Sequence, residues 1–159
     1  MARSDPKSSE NKLLVSNRRA SYLYFLSDFL EAGLVLSGSE VKAARSGKAN
    51  LIDAYAVIRD GEAWLLNCHI GPYEYAHGEN HEARSKRKLL LHRQEIRKLT
   101  GKTTEKGLTL IPTKMYLKNG RIKCEIALAK GKKLWDKRET IRRREVDRET
   151  RAAIKSRQR

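Results

Sequence analysis

A chain of 159 residues with 35 Lys and Arg against 19 Asp and Glu carries a formal net charge of +16. That length fits one domain plus an appendage, and it suffices to bury a modest core without disulfides or metal. So large a cationic excess resists compaction by self-repulsion and draws a protein towards polyanions. No apolar run nears the roughly 20 residues needed to cross a bilayer, and the opening MARSDPKSSENK lacks a signal peptide's apolar centre. Nucleic acid is therefore the expected polyanion, ahead of a membrane surface, and a cytoplasmic location is expected.

Residues 1–12 are polar and expected to be disordered. Leu13, Leu14 and Val15 suit a short strand, after which Ser16 or Asn17 can cap a helix. Tyr22, Phe25, Leu26, Phe29 and Leu30 follow helical spacing, which predicts a helix packed on the core and ended by Gly33. Leu34–Leu36 reads as a strand, and a second short helix is expected from a Ser39 cap to Gly47. That helix would set Lys42, Arg45 and Lys48 on one rim. Two β-rich runs then flank Asp60–Gly61, a strong hairpin signal because both turn positions accept positive φ.

Residues 71–88 lack periodicity and predict a long loop ending in the cations Arg84, Lys86, Arg87 and Lys88. After Leu89–Leu91, His92 can cap a third helix, with Ile96 and Leu99 inward and Gly101 as its end. A last hairpin turns at Asn119–Gly120. Residues 13–129 are thus expected to form a mainly β, OB-fold-like closed antiparallel barrel with three α-helices. From 130 to 159 there are 13 Lys and Arg against five Asp and Glu, half of the whole excess, with too few apolar residues for a core. This tail is expected to be disordered in isolation. It lacks Pro and Gly after Gly131, and its Glu139–Arg143 and Asp147–Arg151 pairs favour a helix against a polyanion.

Catalytic signatures are missing: there is no Gly-rich phosphate loop, GxSxG, HExxH or Cys/His dyad at a telling spacing. Carboxylates such as Asp28 and Glu31 read as solvated, so the expectation is a protein that is not an enzyme. Cys68 and Cys124 belong to no CxxC and are expected as reduced thiols in or near the core. His77 and His81 fall in a polar stretch that suits a surface loop better than a metal site. Binding is better supported. Arg18 and Arg19, then Lys42, Arg45 and Lys48, then Arg84 to Lys88 are candidate phosphate contacts, with Tyr22, Tyr24 and Tyr55 nearby in sequence to stack unpaired bases. Composition and pattern reach as far as structured RNA and no further.

The segments NRRASYLYF, FLEAGLVLSGSEVKAARSGKANLIDAYAVIRDGEAWL, RKLLLHRQEI and AKGKKLWDKR resemble, in order and spacing, the blocks of small protein B, the SsrA-binding protein family of bacteria. The resemblance implies binding to the tRNA-like domain of transfer-messenger RNA. It also implies delivery of that RNA, with elongation factor Tu, to stalled ribosomes for rescue and peptide tagging. Glu31 and Leu90 match residues of the RNA-binding surface; Asn17, Arg19 and Tyr24 fall in the matching N-terminal block; Lys42, Arg45 and Lys48 fall in the EVK block. His92 stands where some members carry Asn and joins the RNA-binding set. Lys132, Lys133, Asp136, Lys137 and Arg138 match the elements that open the tail, and Trp135 stands where an aromatic or His is expected. In the family this tail enters the decoding centre of the small subunit, against ribosomal RNA, as a helix in the vacant message channel. No cofactor or metal is implied.

Overall fold

The computed structural model describes residues 11–158 apart from 77 and 79. The elements in chain order are β1 (Lys12–Ser16), α1 (Ala20–Leu23), β2 (Tyr24–Leu34), α2 (Gly38–Arg45), β3 (Ala49–Asn50), β4 (Tyr55–Arg59), β5 (Glu62–Leu66), β6 (His69–Ile70), β7 (Arg87–Leu90), α3 (Arg93–Lys106), β8 (Thr109–Lys118), β9 (Arg121–Gly131) and α4 (Leu134–Arg157). Seven strands form one antiparallel sheet in the order β1-β8-β4-β5-β7-β2-β9, in which β8 also pairs with β9; β3 and β6 form a small second ladder. The described residues are mainly β with four helices, three in the body and a fourth in the tail, where three were expected in all. Among the described residues no helix is long and apolar enough to cross a membrane.

Both predicted hairpins are present. Asp60 and Gly61 turn at φ 52° and 73°, and Asn119 and Gly120 at 52° and 74°, the left-handed pair that matches the twist of flanking strands. The helix expected across Tyr22–Leu30 is instead the long strand β2, and only four residues before it are helical. Its inward residues are Tyr24, Leu26, Leu30 and Ala32, while Phe25 and Phe29 are about half exposed, not core. A break in register between Ser27 and Leu30, with Asp28 at φ 50°, adds residues to the strand. Leu26 and Leu30, four apart, share a face on a strand as they would on a helix, so their spacing imitates a helical period. Pairing on both edges of β2 outweighs the local pattern.

The other boundaries shift for local reasons. α2 starts two residues earlier than expected, capped by Ser37: its hydroxyl accepts from the Glu40 N–H, and Glu40 accepts from the Ser37 N–H, both at 3.4 Å. α3 runs past Gly101 to Lys106 and ends at Gly107, φ 61°. A glycine inside a helix costs only about 1 kcal/mol relative to Ala, less than the helix gains by continuing. His92 is its N-cap residue, and Glu95 accepts the His92 N–H at 2.9 Å. The predicted disordered tail is a 24-residue helix with Glu139–Arg143 paired at 2.7 Å and no buried residue. Residues 1–10, most of the N-terminal segment expected to be disordered, lie outside the described residues, and β1 already begins at Lys12.

The core gathers Leu51, Leu65, Ile70, Leu89, Leu110, Met115, Ile126 and Leu128 together with both cysteines, which are free. Burial pushes the Cys68 thiol up to about 11 and raises Cys124 as well, so both stay protonated and unreactive. Two charged groups, Arg87 and Glu40, are buried beside them. Arg87, placed by sequence in a surface basic cluster, is 2% exposed. Its Nε donates to Glu40 Oε2 at 3.3 Å, and its other nitrogens donate to the carbonyls of Cys68 (2.6 Å), Ser85 (3.1 Å), Glu82 (3.3 Å) and Ala83 (3.1 Å). Truncation would strand a buried carboxylate and four carbonyls. Arg87→Ala is expected to lower stability by about 3–5 kcal/mol. Lys88→Ala, which breaks the exposed 3.0 Å pair with Glu62, should cost about 0.2–1 kcal/mol. Urea unfolding of the two variants decides, and equal losses would refute the buried role of Arg87.

Candidate nucleic-acid interface

Three surfaces of the body, and the tail, carry the residues singled out from sequence. The first is the outward face where β8, β9, β2 and β7 lie side by side. Register places Lys118 opposite Arg121, Tyr116 opposite Lys123, Lys123 opposite Gly33, and Gly33 opposite Leu90. Side chains two apart on a strand share a face, so Glu31 stands beside Gly33 on the same side. Gly33 is needed for closeness: a Cβ there would sit 3.1 Å from Leu90 Cβ. Leu90 is 53% exposed. Sequence reasoning named Glu31 and Leu90, and the fold brings them together although 59 residues separate them in the chain.

Glu31 is held in a set orientation. The Tyr116 hydroxyl donates to Oε2, and Lys118 Nζ lies 3.3 Å from both oxygens. The Tyr116 hydrogen bond, then Lys118 and Lys123, hold the Glu31 carboxyl below its ordinary value. Burial and the same hydrogen bond raise the phenol of Tyr116. Glu31, Lys118, Asn119, Arg121 and Lys123 line one concave patch of about 380 Å³. An ionised carboxylate accepts only. Within a cationic patch it can take a base amino or 2′-hydroxyl proton while its neighbours meet phosphate. Tyr116, Lys118, Arg121 and Lys123 were missed from sequence; the alternation Lys114-Tyr116-Lys118 and Arg121-Lys123-Glu125 around the Asn-Gly turn was the available signal.

At the other end of β2 a cleft of about 240 Å³ receives Asn17, Arg19 and Tyr24. Asn17 is mainly a tie: its Nδ2 donates to the carbonyls of Pro112 (3.0 Å) and Leu51 (3.4 Å), and its backbone N–H to Thr113 O at 2.7 Å. Arg19 is exposed and Tyr24 half-buried.

The third surface is the end of α2. Lys42 Nζ lies 5.4 Å from the centre of the Tyr73 ring, Lys48 donates to Glu74 at 3.1 Å and to Pro72 O at 3.1 Å, and Arg45 is exposed. Two of the three cations therefore also brace the 72–74 segment. His92 is exposed at the start of α3, two residues from Leu90. The Arg84–Lys88 cluster does not survive as a unit. Arg84 donates to Asn67 at 2.6 Å, Lys86 covers the Trp64 ring at 4.8 Å, Arg87 is buried and Lys88 is paired. His77 lies outside the described residues, while His81 bonds Ser39 through Nδ1 at 2.9 Å and contacts the Ile70 and Gly71 carbonyls through Nε2.

The tail leaves the body through Lys132. Its backbone N–H donates to Leu23 O (2.9 Å), its ammonium donates to Ser21 O (2.9 Å) and Thr140 Oγ1 (2.8 Å), and it lies 5.0 Å from the Phe25 ring centre. Arg144 donates to Ser21 Oγ at 2.7 Å, laying α4 against α1. Lys132 is thus a staple. The Lys133 N–H is accepted by Asp136 at 3.2 Å, which starts the helix. Trp135, 63% exposed, and Arg138 stand on the face turned away from α1, while Lys137 is half-buried.

A small β protein with a cationic, carboxylate-centred sheet face and an exposed arginine-rich helix belongs to the class that binds polyanions through its surface. The SmpB protein family matches residues 14–156. SsrA-binding proteins of Trichormus variabilis and Koribacter versatilis are 57% and 54% identical to the chain. The first comparison covers 94% of this chain and 97% of the relative, the second 96% and 87%. A solved structure described as "tmRNA-SmpB: a journey to the center of the bacterial ribosome" superposes with a TM-score of 0.66 at 44% identity, over 81% of this chain and 94% of that one. The chain belongs to the SmpB family.

The charge on Glu31 can be tested directly. Tyr116→Phe removes the hydroxyl that most favours the ionised form, so the Glu31 carboxyl should titrate at higher pH, read by NMR of its Cδ. Because the folded value is the lowered one, the stability Glu31 contributes is present above the unfolded carboxyl's pKa and lost as pH falls through the folded one. An unchanged titration in the variant would show that Tyr116 does not set this charge.

Proposed function

We propose that the protein is an RNA-binding adaptor of trans-translation: it binds the tRNA-like domain of transfer-messenger RNA and accompanies it to stalled ribosomes. One observation carries this reading. The fold places Glu31 and Leu90, which match the family's RNA-binding positions, on one sheet face ringed by Lys118, Arg121 and Lys123. The relatives' name and the structural neighbour's description point the same way. In this reading Leu90 packs against an unstacked base or sugar, Glu31 accepts a base amino or 2′-hydroxyl proton, and the cations neutralise phosphates.

The sheet is read as an OB-fold-like barrel spanning 13–129. The ring of pairings β8–β4–β5–β7–β2–β9 and back to β8 supports this. Residues 130–159 act as the tail that reads an empty message channel at the decoding centre, with Lys133, Trp135, Asp136, Lys137 and Arg138 at its start. Lys132 fixes the direction of exit. Asn17, Arg19 and Tyr24, with Lys42, Arg45, Lys48 and His92, complete the RNA-facing set. Elongation factor Tu joins the delivery complex, the work is done in the cytoplasm, and the protein makes no bonds of its own.

The two halves should separate. A stop codon at Leu134, which spares the bond from Lys132 to Leu23, is expected to keep affinity for the tRNA-like domain and abolish peptide tagging on stalled ribosomes. Simultaneous loss of both activities would refute the division. Lys123→Ala should lower the slope of log K against log salt by about 0.7–0.9, one phosphate contact's worth. An unchanged slope would take Lys123 off the phosphate path.

A further inference from the structure

The cleft at the tail-root end of β2 is built more like a pocket for one ring than like a stretch of backbone-binding surface. Its volume of about 240 Å³ lies below the ~300–1,000 Å³ that drug-sized ligands occupy. Its floor is a small second core of Ala20 and Ile111, against which Tyr24 packs. Tyr55, 40% exposed at the first position of β4, forms part of the wall. Asn17 fixes the frame by tying the carbonyls of Leu51 and Pro112, from two separate segments, to one amide.

Two opposite charges line the cleft without neutralising each other. Among the described residues the Arg19 guanidinium and the Asp53 carboxylate have no ion pair or side-chain hydrogen bond. Asp53 sits at φ 63°, in the left-handed region, and its carbonyl accepts from Asn67 Nδ2 at 3.0 Å. A carboxylate is fixed here by backbone geometry in a protein of charge +16 whose partner is anionic. It repels phosphate unless the ligand brings N–H donors.

We infer that this cleft binds a single unpaired nucleobase of RNA, and that it prefers a base carrying an exocyclic amino group over uracil. The inference rests on the RNA-binding reading above. Tyr55 and Tyr24 supply stacking surface, Asp53 accepts from the amino group, and Arg19 meets the phosphate of the same nucleotide. The site is distinct from the Glu31 patch: seven residues of strand at ~3.3 Å each set the two roughly 20 Å apart. Because Gly131 pairs with Tyr24, the cleft adjoins the root of the tail. The base therefore comes either from the tRNA-like RNA or from ribosomal RNA at the place where the tail enters.

The full chain is titrated by NMR with cytidine and uridine 5′-monophosphates, and separately with the tRNA-like RNA and with small ribosomal subunits. Cytidine monophosphate should shift Tyr55, Tyr24 and Thr109 resonances and bind more tightly than uridine monophosphate, a preference that Asp53→Asn should erase. Tyr55→Ala should weaken one RNA arm by about tenfold, identifying the source of the base, and the ring-preserving Tyr55→Phe should rescue it. Unmoved resonances with both nucleotides, or Tyr55→Ala equal to the parent in both RNA arms, overturn the inference. Should the parent protein show no selectivity for the tRNA-like RNA, the functional reading fails instead, and the nucleotide titration still decides the cleft.

Discussion

The arrangement depends on one buried cation. Arg87 reaches from the first residue of β7 into a cage formed by Glu40 at the start of α2 and by carbonyls of the turn after β5 and of the 82–85 segment. Five acceptors from three parts of the chain converge on it, and none belongs to the sheet's own ladder. A guanidinium suits this because its planar fork presents five donors and cannot be neutralised. A buried ion pair adds little net stability over an apolar substitute, but it tolerates only one geometry. Here that geometry fixes where β7 enters the sheet. Leu90, three residues on, is thereby delivered over Gly33.

From that anchor the functional surfaces follow by register. β2 runs through both sites: its far half carries Glu31 and Gly33, and its first residue lines the cleft. The register break at Ser27–Leu30 lies between them. A strand with a bulge bends and twists locally, which lets one strand present its two ends to different directions. Asp28 at the bulge is paired with Lys102 of α3, so the bend is tied to a helix. The tail is tied to the opposite end by Lys132, whose ammonium bridges α1 and α4. The Glu31 patch, the cleft and the tail's exit thus all lie along a single strand.

How much of this the sequence discloses depends on whether the deciding interaction is local. Asp60–Gly61 and Asn119–Gly120 declare their hairpins because positive φ is chemistry of the turn itself. The start of α3 at His92 is legible for the same reason. β2 is not, because its partners are β7 and β9, about 60 and 100 residues away, and an apolar pair four apart fits a helix as well as a strand. Arg87 reads as one more surface cation because nothing near it in sequence announces Glu40, 47 residues earlier. The family blocks locate Glu31 and Leu90, but Tyr116 and Lys118, 85 and 87 residues from Glu31, become visible only in the fold. The tail helix is half legible: its i,i+4 pairs stand in the sequence, while the Lys132 staple that gives it a direction appears only in the fold.

A carboxylate at the middle of a cationic patch invites the objection that it weakens RNA binding. Its neighbours answer this. Lys118 and Lys123 repel each other and are drawn together by the strand register regardless of their charge, so an anion between them lowers the cost of assembling the patch. The Tyr116 hydroxyl occupies one oxygen of Glu31, leaving the other to be shared between Lys118 and an incoming donor. Cations alone would grip any phosphate chain at about equal strength, since counterion release carries no sequence or sugar information. A fixed acceptor that must find a donor converts part of that indiscriminate attraction into selectivity, because a ligand lacking the donor leaves a carboxylate facing its own phosphates. Glu31 on one end of β2 and Asp53 beside the other fit one logic: each is a carboxylate set beside cations, an arrangement that favours a ligand bringing a donor over one that brings only phosphate.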